Sequence, residues 1–129
     1  MTDLSLSGAS WTTSAAADPY FIQIQAAELV RSYLNGADPS DPAASPLRAD
    51  LTGLPPIRVH VGDDEVLHDD SVRFVDRALA AGVDAQLDVW EGMVHGFLGS
   101  VGHFRASTQA LQQIGSFLSE RFTKITAER

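Results

Sequence analysis

Carboxylate and imidazole are the side chains in this sequence best suited to moving protons, and they are concentrated in two short stretches. Asp63, Asp64, Glu65, His68, Asp69 and Asp70 form one acidic run. His95 follows in His95-Gly96-Phe97, roughly thirty residues further on, the span of a strand-helix-strand unit. A carboxylate beside an imidazole fixes its tautomer and turns the other ring nitrogen toward a nucleophile. It then stabilises the imidazolium formed when that nucleophile gives up its proton. This is two thirds of a catalytic triad. The remaining part would be a serine on a strand-to-helix elbow of the form G-x-S-x-G. Gly8-Ala9-Ser10-Trp11 and Gly99-Ser100-Val101-Gly102 have neither that spacing nor a preceding strand.

The surrounding pattern says what must hold these residues. The stretch to about Ala17 is rich in Ser, Thr, Gly and Ala without a sustained period, and is expected to be irregular. Asp18-Pro19 reads as a helix start, with apolar positions at Phe21, Ile24, Ala27, Leu29, Val30, Tyr33 and Leu34, and Gly36 as the stop. A linker rich in Pro, Asp, Ala and Ser follows from Asp38 to Pro46, and Pro55-Pro56 stiffens the approach to Ile57-Arg58-Val59-His60-Val61, a strand closed by Gly62. Asp69 or Asp70 is expected to cap a helix from about Ser71 to Ala81, ended by Gly82. A second strand is expected over Ala85 to Trp90. The last helix begins near His103, with Phe104, Leu111, Ile114, Leu118 and Phe122 on one stripe that should lie over a sheet.

A strand-helix-strand of this length is a parallel unit, so both strands point the same way. Ligand sites in open α/β sheets lie beyond the carboxyl ends of the strands. The acidic loop and the His95 loop are therefore expected at a common rim.

With 129 residues and an apolar fraction of 44% the chain is long enough for a core. A formal charge of -8 disfavours nucleic acid and anionic membrane surfaces as partners. There is no cysteine, which excludes disulfides and thiolate chemistry. The spacings among His60, His68, His95 and His103 match no zinc signature, so no metal or other cofactor is expected. His60, inside a strand, reads as structural. Asp70 reads as a helix cap, Phe104, Phe117 and Phe122 as core, and Trp90 and Met93 as lining either a pocket or a dimer interface. The first residues lack the charged and apolar regions of a secretory signal, and no stretch is long and apolar enough to span a bilayer. A cytoplasmic protein is expected.

Several motifs, in order, carry a resemblance. Ala44-Ser45-Pro46-Leu47, Leu54-Pro55-Pro56, Val61-Gly62, Glu65-Val66-Leu67-His68-Asp69-Asp70, Ala80-Ala81-Gly82-Val83 and His95-Gly96-Phe97 resemble the downstream motifs of bacterial hormone-sensitive-lipase-like esterases, and Thr2-Asp3-Leu4-Ser5 resembles the segment after a central strand. The resemblance implies an α/β fold: the C-terminal part of an α/β-hydrolase, with a parallel βαβ unit, flanking helices and part of the cap. Residues 1-50 would be an irregular segment with a cap-type helix, and 51-129 the βαβα part of the core. Phe21 and Tyr33 would help shape a hydrophobic acyl site.

By the same resemblance His95 is the general base. The family pattern Asp-Pro-Leu-x-Asp, anchored on Leu67 and Asp69, places Glu65 at the catalytic acid, with Asp64 as second choice. Here Glu stands for the usual Asp, and Val66 for the usual Pro. The His-Gly-Gly oxyanion motif and the nucleophile elbow have no counterpart in this chain. Met1 is thus expected to be an internal start, from a truncation, a proteolytic product or a misplaced gene start. The first expectation for function is a carboxylic ester hydrolase with a Ser-His-Glu/Asp triad acting on small acyl esters, of which this chain alone is inactive. The other is a hydrolase-derived interaction module. Exposed sheet edges would make either self-associate as a homo-oligomer.

Overall fold

A computed structural model describes residues 1–127, with side chains as far as Thr123. β-Branched residues make Ile57–Gly62 a strand (β1), and Ala85–Trp90 forms a second (β2). They pair in parallel with Ile57 opposite Ala85 and Gly62 opposite Trp90. Helix α3, His68–Ala80, makes the crossover. Its Ala78, with Leu51 and Val83, forms a buried cluster against which Ile57, Phe74 and Ala85 pack.

The residues between those apolar positions share the other face of the strand pair. There Arg58 donates to Asp88 through Nε at 2.7 Å and Nη2 at 3.2 Å, and the Trp90 Nε1–H donates to His60 Nδ1 at 3.1 Å. This bond leaves the proton of neutral His60 on Nε2, which lies 3.9 Å from Asp88, beyond hydrogen-bond reach. Burial holds the His60 imidazole below its ordinary value of 6.5; Asp88 pulls it up and Arg58 pushes it further down.

Helix α3 starts earlier than its sequence suggests. Leu67 occupies the N-cap without a side-chain bond, and Asp69 and Asp70 lie in the first turn, where their charge complements the helix dipole. Their oxygens serve the opening segment instead. Asp70 Oδ2 accepts the N–H of Thr2 at 2.6 Å and of Asp3 at 3.1 Å, and Asp69 Oδ2 accepts that of Ser10 at 3.0 Å. The opening segment is correspondingly more ordered than its composition suggests, with one helical turn, α1, at Ser10–Thr13. Trp11 is buried there with Ala26, Val66 and Leu67.

Helix α2 spans Gln23–Leu34 rather than beginning at Pro19, and ends with Asn35 in the left-handed conformation before Gly36. Ala26 and Val30 are buried, whereas Ile24, Leu29 and Tyr33 are exposed, so the buried face is narrower than the apolar stripe in the sequence. A short 3-10 turn, Pro46–Arg48, brings Leu47 inward, and its N–H bonds to the Thr2 carbonyl at 2.9 Å.

All of these elements belong to one compact unit, Met1–His95; a second begins at Gly96. The second holds the 3-10 turn Phe97–Gly99 and helix α4, Arg105–Ala127. Within it the Ser107 hydroxyl donates to the Phe97 carbonyl at 2.6 Å. Phe104, Leu111, Leu118 and Phe122 of its apolar stripe are exposed. Among the described residues no helix is long and apolar enough to cross a membrane.

Asp3 is wholly buried and is the charged centre of the opening segment. Ser5 and Ser7 hydroxyls donate to it at 2.5 Å, and Arg73 Nη1 lies at 3.2 Å. Burial pushes its carboxyl up, but the bonds from Ser5 and Ser7 and the nearby Arg48 outweigh that, lowering it from 3.8 to about 2.

Two acid-side losses of stability follow, in separate windows. His60 has a depressed folded value, so its contribution is complete above 6.5 and is lost as pH falls below it. Asp3 contributes fully above 3.8 and loses that contribution as pH falls toward 2. Urea midpoints measured across pH should show both slopes, and His60→Gln should flatten only the upper one.

Candidate active site

The two strands end level, and the loops that leave them touch at once. Asp63 N–H bonds to the Trp90 carbonyl at 3.2 Å and Asp64 N–H to the Met93 carbonyl at 3.1 Å. The Asp63 carboxylate accepts Gly92 N–H at 2.7 Å. A Cβ on Gly62 would sit 1.9 Å from the Met93 carbonyl oxygen, so only glycine allows this approach.

Glu65, 6% exposed, lies under this contact. Its Oε2 accepts Gly62 N–H at 3.0 Å, and its Oε1 lies 3.4 Å from His95 Nδ1. That separation is longer than a tight N–H···O bond, as acid-histidine contacts without substrate often are. With the Nδ1 proton directed at Glu65, the Nε2 of His95 is left as the basic nitrogen. The His95 side chain is 37% exposed, so its ring is accessible while its acid is not.

The geometry thus brings Glu65 and His95 together. Asp64, its neighbour, contributes its backbone to the loop contact, but its side chain is exposed. His68 begins α3 and pairs with Asp69 at 3.7 Å. Among the described residues no cluster of His, Asp and Glu is arranged to hold a metal ion.

Residues ahead of β1 complete the surroundings; the resemblance named Phe21 for this, whereas the composition around Ser10 and Asp18 offered no sign of their part in it. The Phe21 ring packs on the His95 ring with centroids 4.9 Å apart, and on Trp11 at 5.8 Å. Ser10 Oγ donates to the Val66 carbonyl at 2.6 Å and accepts Asp69 N–H at 3.1 Å. Asp18 does not cap α2; its Oδ1 accepts the N–H groups of Tyr20 and Phe21 at 3.0 and 3.1 Å, closing a turn. Tyr33, placed beside Phe21 by the resemblance, is 74% exposed because α2 turns its Ala26 and Val30 side inward.

The family model of the alpha/beta hydrolase fold matches residues 1–99. An acetyl-hydrolase of Streptomyces hygroscopicus is 42% identical over 93 residues, covering 72% of this chain and 31% of that protein. An esterase of Acinetobacter venetianus is 40% identical over 89 residues, covering 68% of this chain and 29% of its own. Among solved structures, EstE5 superposes with a TM-score of 0.91 at 38% identity over 95% of this chain and 41% of its own. An esterase from the bacterial hormone-sensitive lipase family does so with a TM-score of 0.89 at 42% identity, over 92% of this chain and 40% of its own. The chain belongs to the α/β-hydrolase fold family, on its bacterial hormone-sensitive-lipase branch. It spans less than a third of the length of these two curated relatives.

Gly62→Ala should cost about 2–3 kcal/mol through the forced separation of the two loops, read as a lower urea midpoint. A substitution without effect would show that the loops do not approach this closely.

Proposed function

We propose that Glu65 and His95 are the acid and the general base of a Ser-His-Glu triad in a carboxylic ester hydrolase, and that this chain by itself does not turn over esters. The observation that carries the reading is the buried Glu65 carboxylate beside the Nδ1 of a half-exposed histidine. The names of the relatives, acetyl-hydrolase and esterase, support small acyl esters as the substrate class. Glu65 would hold the tautomer, and His95 Nε2 would take the serine proton during attack and return it to the leaving alcohol.

In this reading His95 takes its nucleophile and its oxyanion donors from outside the described residues. Among the described residues no serine hydroxyl bonds to it: Ser10 is committed to Val66, and Ser5 and Ser7 to Asp3. Without a nucleophile and preorganised donors for the oxyanion, most of the catalytic effect is lost. An in-frame coding sequence upstream of Met1 with a G-x-S-x-G elbow and a His-Gly-Gly motif is the genomic counterpart of this reading.

Self-association is a second reading, favoured by the exposure of Val89 on β2 together with Ile24, Leu29 and Tyr33 on α2. Sedimentation as a stable monomer would remove it.

With a short-chain p-nitrophenyl ester, the isolated chain should give only the background rate. Turnover abolished by His95→Ala in this same chain would overturn its incompetence. In a longer protein carrying both upstream motifs, Glu65→Gln should lower kcat by roughly 10⁴-fold, the size of the tautomer effect in such triads.

A further inference from the structure

Asp18 is a carboxylate that the triad does not use, and it is 4% exposed. Besides the Tyr20 and Phe21 N–H groups on Oδ1, its Oδ2 accepts the N–H of Val66 at 3.2 Å. Val66 directly follows Glu65. One buried anion therefore ties the backbone beside the acid to the backbone of the residue whose ring packs on His95. Ionised acceptors make the stronger hydrogen bonds to backbone N–H groups, and all three donors here need only an acceptor.

The remaining handles of Val66 are held from the same segment. Its carbonyl accepts Ser10 Oγ, and its side chain, 1% exposed, lies in the cluster with Trp11. The Asp-Pro-Leu-x-Asp pattern that this loop resembles would have proline here, with no N–H to satisfy and a fixed φ. Valine brings a buried N–H that requires a partner, and a freer backbone. Asp18 supplies that partner. Capping does not explain Asp18, because α2 starts at Gln23 and its N-cap residue is Ile22.

We infer that Asp18 is a positioning residue for the Glu65–His95 pair, acting on the acid through Val66 and on the imidazole through Phe21. The inference rests on the acid-base reading of that pair.

The test is the tautomer of neutral His95, read by two-bond ¹⁵N–¹H correlations of the imidazoles in the full chain. The Nδ1–H form should dominate in the unaltered protein. Glu65→Gln should shift the tautomer ratio by roughly tenfold, the size of one hydrogen bond to a charged group, and Asp64→Asn should leave it unchanged. Asp18→Ala should move the ratio in the same sense as Glu65→Gln. Asp18→Asn keeps an acceptor for Tyr20 and Phe21 but turns an amide N–H toward Val66, and should give a smaller shift in that direction. The His60 tautomer, set by Trp90 Nε1–H, should stay fixed throughout and reports an intact strand pair. If Asp18→Ala disturbs His60 as well, the Asn variant decides. A His95 pattern unchanged in folded Asp18 variants, while Glu65→Gln shifts it, would overturn the positioning role. No shift in Glu65→Gln would overturn the acid-base reading instead.

Discussion

The parallel register that sets Gly62 opposite Trp90 is the constraint on which the site depends. Because both strands finish at the same level, the chain leaves each of them into the same small space. The glycine at the end of β1 lets the Met93 carbonyl come closer than any side chain would permit. A slip of that register by one residue would turn the core-facing side chains to the other face, and would carry Glu65 away from His95.

Around that contact the protein uses acidic side chains as internal fasteners. Asp3, Asp18, Glu65 and Asp70 are all buried, and each accepts at least one backbone N–H. A negative formal charge is usually read as a property of the surface, but here part of it lies inside, matched to amide donors and to Arg48 and Arg73. Irregular backbone has many such donors to satisfy, and short acceptor-only side chains satisfy them without adding donors of their own. Composition of the opening segment conceals this, since Ser, Thr and Ala look like linker until their partners some sixty residues away are known.

The regular elements were the legible part. β1 and β2 stand where their β-branched and turn residues put them, and the shared rim followed from parallel pairing, because local pattern and topology agree there. Element starts were harder to read. Asp18, Asp69 and Asp70 all resemble helix caps in sequence, yet each gives one oxygen to a tertiary bond, which the local pattern cannot reveal. The stripe on α2 misled for a related reason: periodicity counts apolar residues, while burial needs a neighbour, and only Ala26 and Val30 have one close enough to be covered. Glu65 came into view by alignment to a motif from which it departs; the extra methylene relative to Asp left no other sign.

That methylene also affects stiffness. A glutamate has one more rotatable bond than an aspartate, and freezing it normally carries an entropic penalty. Here the two oxygens are divided, one taken by the Gly62 amide and the other turned to His95. The terminal rotor is thereby pinned by the main chain of the strand that precedes it. The longer arm folds back onto the main chain three residues before it, and the swing it would otherwise have is removed.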